Sequence, residues 1–187
     1  GPVSGARYYL YGTTALPIFS KSLSYRTFAG DWRTYYDLGA DYHFAMRFSG
    51  LRSNGKDAQV FEVGGYSTIR GYPDFSIRGT TVAFTNLEFR FPFINAFGVV
   101  GPVPLGFLNL RGAAFADLGA VWTKDTDFNI TRPTITGEKT FDDVYASLGV
   151  GARSSFGYLL LKLDVAWPWY YNRWGEPRYH FSLSPEF

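Results

Sequence analysis

Apolar and polar residues alternate along most of this chain with a period of two. In YLLLKLDVAW (158–167), Leu159, Leu161, Leu163, Val165 and Trp167 share one face, and Tyr158, Leu160, Lys162, Asp164 and Ala166 share the other. The last stretch, RYHFSLSPEF, sets Tyr179, Phe181, Leu183, Pro185 and Phe187 against Arg178, His180, Ser182, Ser184 and Glu186. TTVAFTNLEFRF separates Ala83, Leu87, Phe89 and Phe91 from Asn86, Glu88 and Arg90. NLRGAAFADLGAVW separates Leu110, Ala114, Ala116, Leu118 and Trp122 from Asn109, Arg111 and Asp117. VYASLGVGAR and ADYHFAMRFSG repeat the pattern, with Arg153 and Arg47 on their polar faces. With two less regular runs near 5–15 and 22–36, this predicts eight strands and an all-β fold.

Alternation alone has two readings. A soluble sandwich hides the apolar face, whereas a membrane barrel turns it to lipid and keeps the polar face in the lumen. Full charges stand mid-strand on the polar faces (Arg47, Glu88, Arg111, Asp117, Lys162, Asp164), and the apolar faces end in Trp122, Trp167, Tyr179 and Phe187. Such rings belong at bilayer interfaces. The runs reach roughly ten residues, which a tilted strand needs to cross the hydrocarbon. Connections also alternate in length, short at DLG and RSSFG, long and polar at 53–78 and 123–142. Long loops on one side only are the mark of a transmembrane barrel. The link INAFGVVGPVP departs from this, being long and apolar on the short side. The expectation is an antiparallel transmembrane β-barrel in the bacterial outer membrane.

Length limits the strand number. Over 187 residues, sixteen strands would leave roughly twelve residues for each strand and its turn, too few beside two long loops; eight leave roughly 23. One domain over 1–187 is expected, and if it closes on itself its interior is filled by side chains and is not an open pore. Composition agrees, with 20% aromatic residues (14 Tyr, 18 Phe, 5 Trp) carrying much of the apolar load. A net charge of +2 without a basic run argues against nucleic acid. The absence of cysteine excludes disulfides, thiolate metal sites and a Cys nucleophile. No apolar run approaches a transmembrane helix. No signal peptide opens the chain, as expected of a mature chain or an excised segment.

The motif GGYSTIRGY (64–72) sits in the long connection between the third and fourth predicted strands. Glycine explains the turn but not Arg70. A loop long enough to fold back into a barrel would bring Arg70 to Glu88 and Asp117, both on polar faces, and a charge in a dry interior must be paired. An internal cluster of Arg70, Glu88 and Asp117 is therefore expected to pin the loop tip.

These motifs resemble those of the BamA-type outer-membrane barrel superfamily, also called the bacterial surface antigen family, which includes outer-membrane assembly factors and two-partner secretion transporters. GGYSTIRGY resembles its lid-loop motif (Gly64, Gly65, Arg70, Gly71, Tyr72). FADLG resembles its strand motif (Phe115, Asp117, Gly119), whose aspartate meets the lid-loop arginine, and NLEFRFPF resembles the preceding strand, with Glu88 and Pro92 in place. YHFSLSPEF resembles the C-terminal signal of outer-membrane proteins (Tyr179, Phe181, Leu183, Phe187). The likeness runs from about Arg33 to the end and corresponds to the C-terminal half of a sixteen-stranded family barrel. It implies outer-membrane lipid as surroundings, the barrel assembly machinery as reader of the last strand, unfolded outer-membrane or secreted proteins as substrates, and self-association between copies. No cofactor and no metal are expected.

Three functions follow. The chain is part of an assembly or translocation barrel, or a closed small barrel serving as membrane anchor or scaffold, or a lipid-modifying barrel enzyme using His180 and Ser182. The third is weakest, because residues two apart on a strand project in parallel and no orienting acid stands beside them. In the long external loop, Asp125, Asp127, Asp142 and Asp143 offer oxygen ligands for Ca²⁺ but read better as solvated charges.

Overall fold

A computed structural model describes residues 4–16, 22–94, 110–156 and 159–185. It contains β1 (Gly5–Ala15), β2 (Tyr25–Gly39), β3 (Tyr42–Asn54), β4 (Phe61–Val63), β5 (Ile77–Gly79), β6 (Thr81–Ile94), β7 (Leu110–Trp122), β8 (Thr131–Pro133), β9 (Lys139–Phe141), β10 (Val144–Phe156), β11 (Leu159–Trp169) and β12 (Arg178–Pro185). Eight of these form one antiparallel sheet in the order β1-β2-β3-β6-β7-β10-β11-β12. The remaining four make two hairpins, β4-β5 and β8-β9.

Against the expected eight, the described residues hold twelve strands: eight in the sheet and four in the hairpins. The four additional ones have three residues each, too few to display an alternation. Closure, left conditional by the sequence, is not seen: among the described residues no ladder joins β1 to β12, and the sheet has two free edges. Alternation reports which side of a strand is wet, not which strand lies across a seam.

The two faces differ as the period of two requires. On one face Phe28, Trp32, Phe48, Leu118, Leu148, Leu163 and Phe181 are exposed. On the other, Thr27, Asp31, His43, Asp117, Ser147, Arg153 and Asp164 are buried. Burial on this inner face comes from the segment between β3 and β6, whose β4-β5 hairpin folds over it. Val63, Ile69, Tyr72 and Ile77 of that segment pack on Val82, Phe84 and Val121 of the sheet to form the apolar core. The connections 55–80, 123–143 and 170–177 emerge from one end of the sheet, and 40–41 from the other. Most of the apolar link INAFGVVGPVP, from residue 95 onward, lies outside the described residues.

Candidate functional site: the loop pinned on the inner face

Glycine begins and ends the docked segment because its backbone turns where other residues are strained. Gly64, Gly65 and Gly71 have φ of 113°, 87° and 88°. Space is restricted as well: a side chain at Gly65 would run into the Asp74 carboxylate, and one at Gly64 into the Pro73 carbonyl. Thr68 ties the turn, its hydroxyl accepting from Gly64 N–H at 2.8 Å and donating to the Gly64 carbonyl at 3.0 Å.

Ile69 is fully buried and lies directly over Gly119 of β7, where any Cβ would collide with it. Gly119→Val should therefore lift the tip from the sheet and cost about 1–3 kcal/mol, the usual range for overpacking. Limited proteolysis of the folded protein checks this, with cleavage within 64–72 expected in the variant and absent from the parent.

Arg70 lies at the centre of the site. Its Nε and Nη2 donate to the two oxygens of Asp117, each at 2.8 Å, and its backbone N–H donates to Oδ2 at 2.9 Å. Its Nη1 reaches Glu88 Oε2 at 3.0 Å and Asp164 Oδ2 at 3.4 Å. The guanidinium carbon stands 3.4 Å from the centroid of the Phe115 ring, a cation–π contact that holds the fork in plane. Two-pronged pairing of this kind is what a guanidinium provides and a lysine cannot.

Further residues enlarge the cluster. Arg153 donates from Nη2 to Glu88 at 3.0 Å and pairs with Asp164 through Nη1. Arg90 Nε donates to Glu88 Oε1 at 2.8 Å. Asn86 Nδ2 donates both to Asp117 Oδ1 at 2.8 Å and to the Thr68 carbonyl at 2.5 Å. A neighbouring group holds the other flank: Asp31 accepts from Arg33 and Arg47, and Arg47 Nη1 donates to the Ser67 carbonyl at 2.7 Å. Gly71 N–H donates to His180 Nε2 on β12 at 3.1 Å. The Tyr72 hydroxyl donates to the Ala146 carbonyl at 3.2 Å, and its ring packs edge-on against Tyr145 and Tyr170. One loop tip thus bonds to β3, β6, β7, β10, β11 and β12.

The expected trio of Arg70, Glu88 and Asp117 lies together, and Phe115 and Gly119 lie beneath it. Asn86, Arg153, Asp164 and His180 were not assigned to this cluster from sequence. Each stands on the polar face of its strand, but register between strands, which brings them together, leaves no mark in the sequence. At the C-terminal strand Tyr179, Phe181 and Leu183 are exposed on the outer face, while Phe187 lies outside the described residues. The loop carboxylates do not converge: Asp125 pairs with Lys124 at 2.7 Å, Asp142 with Arg132 at 3.4 Å, and Asp143 accepts from Asn129 N–H at 2.8 Å.

An antiparallel meander with an apolar outer face, a charged inner face and a loop folded onto the latter is the wall of a β-barrel. The chain belongs to the Omp85 superfamily, whose domain matches residues 1–187. Among solved structures it is similar to the crystal structure of BamA from Haemophilus ducreyi lacking POTRA domains 1–3, with a TM-score of 0.68 and 18% identity. That likeness covers 98% of this chain and 39% of the BamA chain, so this chain spans about two fifths of that structure. No curated protein matches it.

Proposed function

We propose that this chain is an integral bacterial outer-membrane β-barrel wall of the BamA type, corresponding to the C-terminal half of the family barrel, and that it serves insertion or translocation of proteins at that membrane. The observation that carries this reading is the docked loop, held by Arg70 across carboxylates of β6, β7 and β11. A purely structural wall has no need to suspend a loop over its inner face by buried charges, which are costly unless every partner is present. The apolar outer face supports residence in lipid, since soluble proteins rarely expose so large an apolar patch. Outward-facing Tyr179, Phe181 and Leu183 are the positions by which the barrel assembly machinery reads the last strand, and unfolded outer-membrane or secreted proteins are the substrates. Enzymatic use of His180 is disfavoured, because its Nε2 already accepts Gly71 N–H.

The test is reconstitution of the chain in liposomes followed by addition of a urea-denatured small outer-membrane barrel, with folding of the latter read by heat-modifiable gel mobility. Faster folding than in empty liposomes, diminished by Arg70→Ala, is expected. Equal rates with and without the chain would make it a membrane anchor or scaffold.

A further inference from the structure

The outer face carries a feature that a lipid-facing wall does not require. Ladder partners place Leu10, Gly30, Gly50, Ala83, Ala120 and Val144 in one row across six strands, all on the outer face. Mid-strand glycine weakens a sheet, and it persists at a bulge, at a bend, or where something approaches the backbone closely. No bulge occurs at Gly30 or Gly50, and neither has a positive φ. At Gly30 the space is taken by the Leu10 side chain, whose Cδ2 would stand 2.8 Å from an added Cβ, but at Gly50 an added Cβ would find only the Val82 carbonyl, 3.9 Å away, so the space above it is open.

This row floors a groove of ≈ 840 Å³ walled by Tyr8, Leu10, Trp32, Phe48 and Leu118. A second hollow of ≈ 620 Å³ shares Leu10, Gly30 and Gly50 and extends the groove to Arg52. Arg52 faces outward at the end of β3 from which the long connections emerge, and Arg26 faces outward on β2 beside it. Arg26 is opposite Asn54 and Arg52 is opposite Phe28, so the two arginines are diagonal neighbours, about 7–8 Å apart. Both are exposed, and neither has an ion pair or side-chain hydrogen bond among the described residues. Every carboxylate of the inner clusters, by contrast, is matched by arginine.

We propose that this groove binds a phosphorylated acyl lipid of the outer leaflet, its phosphate held by Arg26 and Arg52 and an acyl chain lying over Gly50 and Ala83, beside Leu10. Guanidinium forks match phosphate oxygens. A charge on the lipid face costs little near the interface and much at mid-bilayer, which suits arginines at strand ends. The apolar lining of the groove suits a hydrocarbon chain, and the bare backbone at Gly50 beside the small Ala83 and Ala120 lets it lie close to the sheet. The proposal rests on the outer-membrane reading above, with the long loops outside.

The test is native mass spectrometry of the full chain in detergent micelles, titrated with bisphosphorylated lipid A and, separately, with phosphatidylcholine and inorganic phosphate. Lipid A should bind, and Arg26→Gln with Arg52→Gln should weaken it at least about tenfold, the loss of charge-assisted bonds. Gly50→Leu, which fills the groove and leaves both arginines, should weaken lipid A similarly. Should that variant fail to fold, Ala83→Leu obstructs the same floor from the next strand. Phosphatidylcholine, whose one phosphate is balanced by its choline, should bind more weakly than lipid A and lose less to the arginine substitutions. Unchanged lipid A binding in either variant overturns the proposal, as does inorganic phosphate competing on equal terms. A dimer that Gly50→Leu dissolves also overturns it, making the groove an interface between copies. A chain that folds in buffer without detergent would instead overturn the outer-membrane reading itself.

Discussion

Arg70→Ala should destabilise the folded chain by about 3–5 kcal/mol, the cost of leaving a buried charge without its partner. Asp117 is the group most affected, since it loses a two-pronged bond and is almost fully buried. Asp117→Asn should cost less, because the amide oxygen still accepts one bond from the guanidinium. The two changes should not add: once either is made the pair is gone, and the second has less left to remove. Denaturant unfolding in detergent, followed by tryptophan fluorescence, supplies all four corners of the cycle. Additive losses for Asp117 and for Glu88 alike would show that the arginine is not held by these carboxylates.

Leu163→Arg is expected to cost about 2–4 kcal/mol, since it sets a charge on the lipid face near the middle of β11. Leu163 is exposed on the outer face, and its neighbours in the chain, Lys162 and Asp164, point inward. Leu160→Arg is the matched control. Leu160 lines the inner cavity together with Lys162, where water and carboxylates can receive a further cation. Folding yield into liposomes should therefore fall sharply for the first substitution and little for the second. Equal losses would mean that the assignment of faces is wrong.

The fold was legible wherever a strand is long enough for its alternation to be read. The predicted run at 40–50 falls mostly within β3, which begins two residues later and runs four residues further, and the faces assigned to Leu161, Leu163 and Lys162 are those observed. The three-residue strands of the hairpins were not legible, and neither was the fate of the two sheet edges. Both depend on partners distant in sequence. The candidate site divides in the same way. Arg70, Glu88 and Asp117 could be joined on charge pairing alone, because a buried arginine needs carboxylates and these two stand on polar faces. Asp164, 94 residues from Arg70, could not, since its alternation is identical to that of any inward charge. Gly119 belongs to the FADLG motif, but its physical reason, the Ile69 side chain resting on it, exists only in the folded chain.

The central claim is that the loop tip lies on the inner face of a lipid-embedded sheet and that Arg70 keeps it there. Because the chain has no cysteine, a pair can be introduced without background, at Thr68→Cys in the loop and Asn86→Cys on β6, whose side chains and backbone meet in the folded protein. The measurement is the rate at which a short bifunctional thiol reagent joins them in protein folded into liposomes. Rapid cross-linking, slowed when Arg70→Ala is added, is the predicted result. No cross-link in folded protein, or the same rate with and without Arg70, would contradict the account.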